Sequence, residues 1–328
     1  MKKIWINIDP ELVDFSYLYQ HFEGRCEILA KAVGKDREKY IPLARNADII
    51  IGGMEPWNEE TLEQIKGRVG FIQKFGMGLD NIDLDAAARD GILVANVLGA
   101  NSASVAEVAL LHILNALRKF TPCTAKIKAG AWPPPPQGRE LDGKTVGLLG
   151  FGNIAKHLAR MLSGFQVKIL TFDPYVTDVS AFPNVTLVSS REELFEKSDI
   201  VSLHIPCTPE TRDSINKKLF DLMKPGSYLI NTCRGGVIHE ADLVEALRSG
   251  HLAGAGLDVL AQEPPERDNP LLTMDNVTIT SHMGAETREA IDRSLIIMAQ
   301  AIDDYLEGKT PKFAQNAKKL QEYGGKNQ

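Results

Sequence analysis

The chain has 328 residues, 44% hydrophobic and 24% charged, with a formal net charge of −6. That balance lacks the basic surplus needed to neutralise a run of phosphates, which excludes nucleic acid as the principal partner. A length beyond ~250–300 residues predicts two domains, each with its own core.

Four cysteines, Cys26, Cys123, Cys207 and Cys233, make no C-x-x-C pair. This points to a reducing compartment and away from a disulfide framework or a metal site. The opening residues Met1–Pro10 alternate like a strand and lack the apolar core of a secretory signal. No apolar run approaches ~18 residues, so no membrane partner is expected, and the cytoplasm is the expected location.

Short Val- and Ile-rich runs alternate with helical patterns, the mark of an α/β chain with parallel strands. The first hundred residues predict strands at Ile4–Ile8, Asp48–Ile51, Phe71–Phe75 and Ile92–Ala95. One long helix is predicted from Ser102 to Lys128, ended by Gly130-Ala131-Trp132 and followed by Pro133–Pro136, a stiff surface connector. A second series of strands follows at Thr145–Leu149, Val167–Phe172, Thr186–Val188, Ile200–Ile205, Ser227–Asn231, Ala253–Val259 and Val277–Thr280. An amphipathic helix from Glu286 to Leu306 is expected to cross back to the first unit, and the polar tail from Gly308 is expected to be loosely held.

Gly150, Gly152 and Ala155 fit the G-x-G-x-x-G/A pattern between a predicted strand and a helix over Ile154–Leu162, and Asp173 follows 21 residues after Gly152 at the next strand end. In such a turn Gly150 allows the sharp bend, Gly152 lets backbone approach a pyrophosphate, and Ala155 permits close helix–strand packing. The helix N-terminus offers N–H groups to phosphate. Asp173 suits two ribose hydroxyls and repels a 2′-phosphate, which favours NAD over NADP; a strand-end acid of purely structural use is the alternative.

Three later strands end in polar segments: Asn231–Gly236, Gly256–Pro265 and Thr280–Ala285. C-terminal strand ends of a parallel sheet share one edge, so Arg234, Asp258, Glu263 and His282 are placed to converge. Arg234 has the planar fork that grips a carboxylate. An imidazole can give and take a proton near working pH, so His282 suits proton transfer, and a Glu263 carboxylate beside it would hold the ring.

These segments, with Gly76–Leu84, Asn101–Glu107 and His204–Arg212, resemble the D-isomer-specific 2-hydroxyacid dehydrogenase family over nearly the whole chain. The resemblance implies two doubly wound parallel-sheet domains, an NAD-binding Rossmann domain at 101–284 inserted into a flavodoxin-like substrate domain at 1–100 and 285–328. It implies hydride exchange between NAD and a small 2-hydroxy or 2-oxo acid, with Arg234, Glu263 and His282 catalytic. The implied cofactor-binding set is Gly150, Gly152, Asn153, Ile154, Asp173, His204, Pro206, Thr211, Thr232, Cys233, Asp258 and Gly284. For Asp258 the resemblance suggests a place near the nicotinamide carboxamide, whereas a strand-end acid capping local backbone is the competing use.

On the substrate side the resemblance points to Lys74, Met77, Gly78, Arg89 and Asn101. Lys74 and Arg89 fall where the phosphoglycerate dehydrogenase branch carries basic residues, so a substrate phosphate and a solvated surface are both open for them. Helix capping is the other use for Asn101. Glyoxylate or hydroxypyruvate reduction is the close rival to 3-phosphoglycerate, and an NAD-sensing binding protein is the rival of another class. Helix Ser102–Lys128 and the prolines look like the region through which relatives form homodimers.

Overall fold

Ile- and Val-rich runs become parallel strands in both parts of the computed structural model, which describes residues 1–324. One unit comprises Met1–Asn101 with the stretch from Thr287 onward; the other is Ser102–Glu286.

The first unit runs β1 (Lys2–Ile6), α1 (Ser16–His21), β2 (Cys26–Ala30), α2 (Arg37–Ala44), β3 (Ile49–Gly52), α3 (Glu59–Glu63), β4 (Phe71–Lys74), α4 (Leu84–Arg89) and β5 (Leu93–Ala95). Its strands pair in the order β2-β1-β3-β4-β5, all parallel, as in flavodoxin-like sheets. Successive side chains serve opposite faces: Ile4, Ile6, Ile49, Ile51 and Phe71 pack in one cluster, while Trp5, Ile50 and Ile72 pack in another. Both faces are covered, which is why these strands read as unbroken apolar runs. Strand β2 was not among the expected strands. It pairs only with β1, at the sheet edge, and Glu27 and Leu29 are exposed, so its sequence lacks the apolar continuity of the central strands.

The second unit contains α5 (Ser102–Arg118), α6 (Phe120–Lys128), β6 (Thr145–Leu149), α7 (Asn153–Leu162), β7 (Lys168–Phe172), β8 (Val185–Leu187), α8 (Arg191–Lys197), β9 (Ile200–Leu203), α9 (Lys217–Leu222), β10 (Ser227–Asn231), α10 (Glu240–Arg248), β11 (Leu252–Leu257) and β12 (Val277–Ile279). The sheet order is β12-β11-β10-β9-β6-β7-β8, a Rossmann-like arrangement carrying one further edge strand. The order reverses between β6 and β9, so the turn after β6 lies at the topological switch point.

The single long helix expected from Ser102 to Lys128 is two helices. Pro122 lacks an N–H, and its ring would strike the carbonyl four residues back, so it fits in the first turn of a new helix and not inside a continuous one. Lys119 turns left-handed at φ 54°, and Asn115 braces the corner by accepting from the Thr121 N–H (2.9 Å) and donating to its hydroxyl (2.7 Å).

The last stretch belongs to the first unit. Helix α11 (Arg288–Leu306) starts at a Thr287 cap whose hydroxyl accepts from the Ala290 N–H, and α12 spans Ala317–Gly324. The tail expected to be loose is docked. Asn316 is buried, accepting from the Val94 N–H and donating to the Ile92 carbonyl, both at 2.9 Å, and Gln315 N–H adds a bond to Val94 O. A polar composition hid this because one buried amide side chain bonds backbone groups at a strand edge, and only a few small or isolated apolar residues, Ala314, Ala317 and Leu320, pack on the core beside it. Residues 325–328 of that tail lie outside the described residues. No described helix is long and apolar enough to cross a membrane.

Candidate active site

The turn after β6 is set by what its glycines omit. Gly150 sits at φ +89°, and a Cβ there would lie 2.5 Å from the His204 carbonyl oxygen. Its N–H donates to Phe172 O, and the Phe151 N–H donates to Asp173 Oδ2, both at 2.8 Å, tying the turn to the end of β7. Gly152 is the N-cap of α7; no side chain caps it, and a Cβ there would meet nothing within 4 Å. The N–H groups of the first turn, beginning with Asn153 and Ile154, therefore point out of a helix end with a positive dipole and no acidic side chain in its first turn. Ala155 is fully buried, which allows α7 its close approach to the sheet.

Beside this turn, at the ends of β9 and β10, two polar atoms are buried with no hydrogen-bond partner: His204 Nδ1 and Thr232 Oγ1. Burial pushes the His204 ring down to about 4, so it is neutral, with Nε2 3.0 Å from Ser202 Oγ. A glycine cradle, an uncapped helix start and unspent polar atoms along one sheet edge fit a dinucleotide. The remaining residues of the expected cofactor set are engaged locally. Thr211 Oγ1 donates to the Pro206 carbonyl at 2.6 Å, bracing the 206–211 loop. The Cys233 thiol is pushed up to about 11 by burial and lies 3.0 Å from Asn231 Oδ1, which makes it an inert group rather than a nucleophile.

Asn231 itself was not singled out in the sequence. Its side chain accepts from the Cys233 N–H (3.0 Å) and donates to the Arg234 carbonyl (2.9 Å), folding the segment that presents Arg234. Gly235 then carries that segment against the next strand's loop: a Cβ on it would fall 1.9 Å from the Leu260 carbonyl carbon. The Leu260 N–H in turn donates to Glu263 Oε1 at 3.0 Å. The loops bearing Arg234 and Glu263 are thus in direct backbone contact.

The second oxygen of Glu263 lies 2.8 Å from His282 Nδ1. An ionised carboxylate only accepts, so Nδ1 carries the proton shared with it and Nε2 is the nitrogen left for chemistry. His282 adopts a left-handed backbone at φ 56°, a conformation costing a non-glycine residue about 1–2 kcal/mol. Asp258 holds it there. The His282 N–H donates to the Asp258 carbonyl (2.8 Å), while the Met283 and Gly284 N–H groups reach its two carboxylate oxygens at 2.9 Å each. Gly284 is required for this contact, since a Cβ would approach Asp258 Oδ2 to 2.9 Å. Of the two uses open for Asp258, the geometry displays the backbone-capping one.

In the first unit, the Phe75–Gly78 loop follows β4, with Asn96 donating to the Met77 carbonyl at 2.9 Å. Asn101 ends the unit with its Oδ1 buried and unpartnered. Lys74 is only 4% exposed, its ammonium donating to the Gly53 carbonyl and to Asn81 Oδ1. Near it, Glu55 is buried, and desolvation raises its carboxyl above the usual range. Arg89 lies on the surface of α4 in an ion pair with Glu59 at 2.8 Å. The two cations for which a substrate phosphate and a solvated surface were both open are therefore each bonded to a protein partner, one inside and one outside.

This architecture and edge chemistry place the chain in a known class. Residues 110–284 match the family model described as "D-isomer specific 2-hydroxyacid dehydrogenase, NAD binding domain", and the chain belongs to that family. Within it the chain falls in the phosphoglycerate dehydrogenase-like branch. It is 38% identical to the D-3-phosphoglycerate dehydrogenase of Methanocaldococcus jannaschii over 292 residues, 87% of this chain and 54% of that protein. The chain spans about half the length of the curated relatives it matches. Among solved structures, a glyoxylate reductase from Paecilomyes thermophila is 26% identical with a TM-score of 0.88, covering 97% of this chain and 99% of that one. An acyclic imino acid reductase in complex with NADPH and D-Arg is 28% identical with a TM-score of 0.87, covering 95% and 99%.

Proposed function

We propose that this chain is an NAD-dependent dehydrogenase that interconverts a D-2-hydroxy acid and its 2-oxo acid. The observation that carries the reading is the His282 Nδ1 to Glu263 Oε2 contact of 2.8 Å at the sheet edge that also bears the glycine turn. When bound, the nicotinamide supplies or accepts the hydride. His282 delivers a proton from Nε2 to the carbonyl oxygen in reduction and removes it from the hydroxyl in oxidation. Glu263 keeps the ring in the tautomer that leaves Nε2 available. Arg234 orients the acid through its carboxylate, which a planar guanidinium grips at two points. Asp173 supports NAD over NADP by placing a negative charge where a 2′-phosphate would sit, and the NADPH-bound imino acid reductase makes this a point to measure.

The names of the curated relatives make 3-phosphoglycerate the first acid to test, with glyoxylate and hydroxypyruvate beside it. For a phosphate, Lys74 would have to leave Asn81 and Gly53. A homodimer built on α5, α6 and the proline stretch is supported by exposed apolar side chains there, Leu111, Phe120 and Trp132. The test is a panel of glyoxylate, hydroxypyruvate, pyruvate and 3-phosphoglycerate with each cofactor, on wild type and His282→Ala. Turnover of at least one acid is expected, falling by about 10²–10⁴ in kcat for the variant while NADH binding persists. Tight NADH binding with no turnover of any acid would instead favour the NAD-sensing reading.

A further inference from the structure

We propose that His112 and Thr280 are positioning residues that set the His282 turn through Asp258. The proposal rests on the functional reading above and concerns two side chains outside the reacting set.

Asp258 is 2% exposed, and its carboxylate is filled from within. Besides the Met283 and Gly284 N–H groups, its Oδ1 receives the Thr280 hydroxyl at 2.6 Å. A threonine hydroxyl has one proton, and a carboxylate that accepts at both oxygens takes it. The Thr280 oxygen is then an acceptor toward its other neighbour, His112 Nε2, at 3.1 Å. It follows that His112 carries its proton on Nε2. The opposite nitrogen, Nδ1, is buried with no partner, so a second proton placed there would find no acceptor. Burial pushes the His112 ring pKa down, and the attraction of Asp258, which acts the other way, is the smaller effect.

The geometry is made possible by a glycine on the neighbouring strand. A Cβ at Gly256 in β11 would lie 2.6 Å from the His112 Cβ, so only a bare backbone lets α5 bring its histidine this close. The result is a directed chain, His112 to Thr280 to Asp258, with the backbone of 282–284 donating into the same carboxylate. Each donor has one orientation open to it, which fixes the carboxylate plane and hence the left-handed turn aiming His282 at Glu263.

The experiment compares wild type with Thr280→Val, Thr280→Ser and the double variant Thr280→Val/His112→Leu. Thr280→Val should lower kcat by about tenfold or more while the NADH dissociation constant, read by fluorescence titration, stays within about twofold. Thr280→Ser should recover most of the turnover, and the double variant should match Thr280→Val alone, because both break one chain. Wild-type kcat in Thr280→Val, an equal loss of NADH affinity, or no rescue by serine would overturn the proposal. Ring-nitrogen NMR decides it independently of activity: His112 should be the neutral Nε2–H tautomer near neutral pH and should take up its second proton only below the ordinary histidine range. An Nδ1–H tautomer, or protonation near the ordinary histidine range, would overturn it. A wild type inactive on every acid would overturn the functional reading, and the ring spectrum would still decide the chain of hydrogen bonds.

Discussion

Two aspartates close two strands of one sheet and do different work. Asp173 follows β7 and is half-buried; each oxygen accepts a single N–H, from Tyr175 and Phe151 at 2.9 and 2.8 Å, which leaves lone pairs open to solvent. Asp258 follows β11, is buried, and spends its carboxylate on a hydroxyl and two amides of its own unit. Position at a strand end made both candidates for the cofactor. The number of acceptor sites already used is what separates a residue that meets a ligand from one that shapes the turn presenting a catalytic group.

The largest expected effect is on the buried member. Asp258→Ala leaves the Thr280 hydroxyl and two backbone N–H groups without their acceptor, at about 1–3 kcal/mol each before relaxation. Urea unfolding should show about 3 kcal/mol or more of lost stability. With the left-handed turn released, kcat should fall about 10²-fold in steady-state assays. A variant that unfolds like wild type and still turns over would show that His282 is held by something other than Asp258.

Asp173→Ala sharpens the contrast from the other side. Its Tyr175 donor is exposed and can be hydrated, which leaves only the amide of the buried Phe151 without its acceptor, so the stability loss should be about 1–2 kcal/mol. The effect should instead appear in binding: NAD weakened about tenfold, with NADP brought closer to parity, both read from cofactor titrations. An unchanged ratio of the two cofactors would reduce Asp173 to a brace for the Phe151 amide.

Much of this was legible beforehand, because each signal had a local cause. The apolar runs marked strands covered on both faces, and the glycine spacing marked a turn whose Cβ contacts prove forbidding at Gly150. Edge logic brought Glu263 and His282 to one sheet edge, the family resemblance gave them a joint role, and they touch. What escaped was non-local or backbone-mediated. Strand β2 pairs on one side only, the α5–α6 break lies in a left-handed Lys119, and Asn316 grips Ile92 and Val94 from more than two hundred residues away. His112 looked like one more helix residue, because its partner Thr280 lies 168 positions on. Lys74 was read as solvated or ligand-facing, whereas its carbonyl partner on Gly53 is a group that composition never displays.

The last predicted effect uses a base at a third strand end. His204 follows β9, and burial pushes its ring pKa down to about 4, against about 6.5 in an unfolded chain. Between those values the unfolded state takes up a proton that the folded state refuses. Stability from this group is therefore whole above about pH 6.5 and drains as pH falls toward about 4. Allowing for the partial access of solvent to the ring, wild type should lose about 1.5 kcal/mol more than His204→Gln between about pH 7.5 and about pH 5. Comparing the two proteins by urea unfolding cancels the carboxylates common to both. Parallel pH profiles would mean that His204 accepts its proton within the fold, and would place it with Asp173 among the groups that answer to solvent instead of with Asp258.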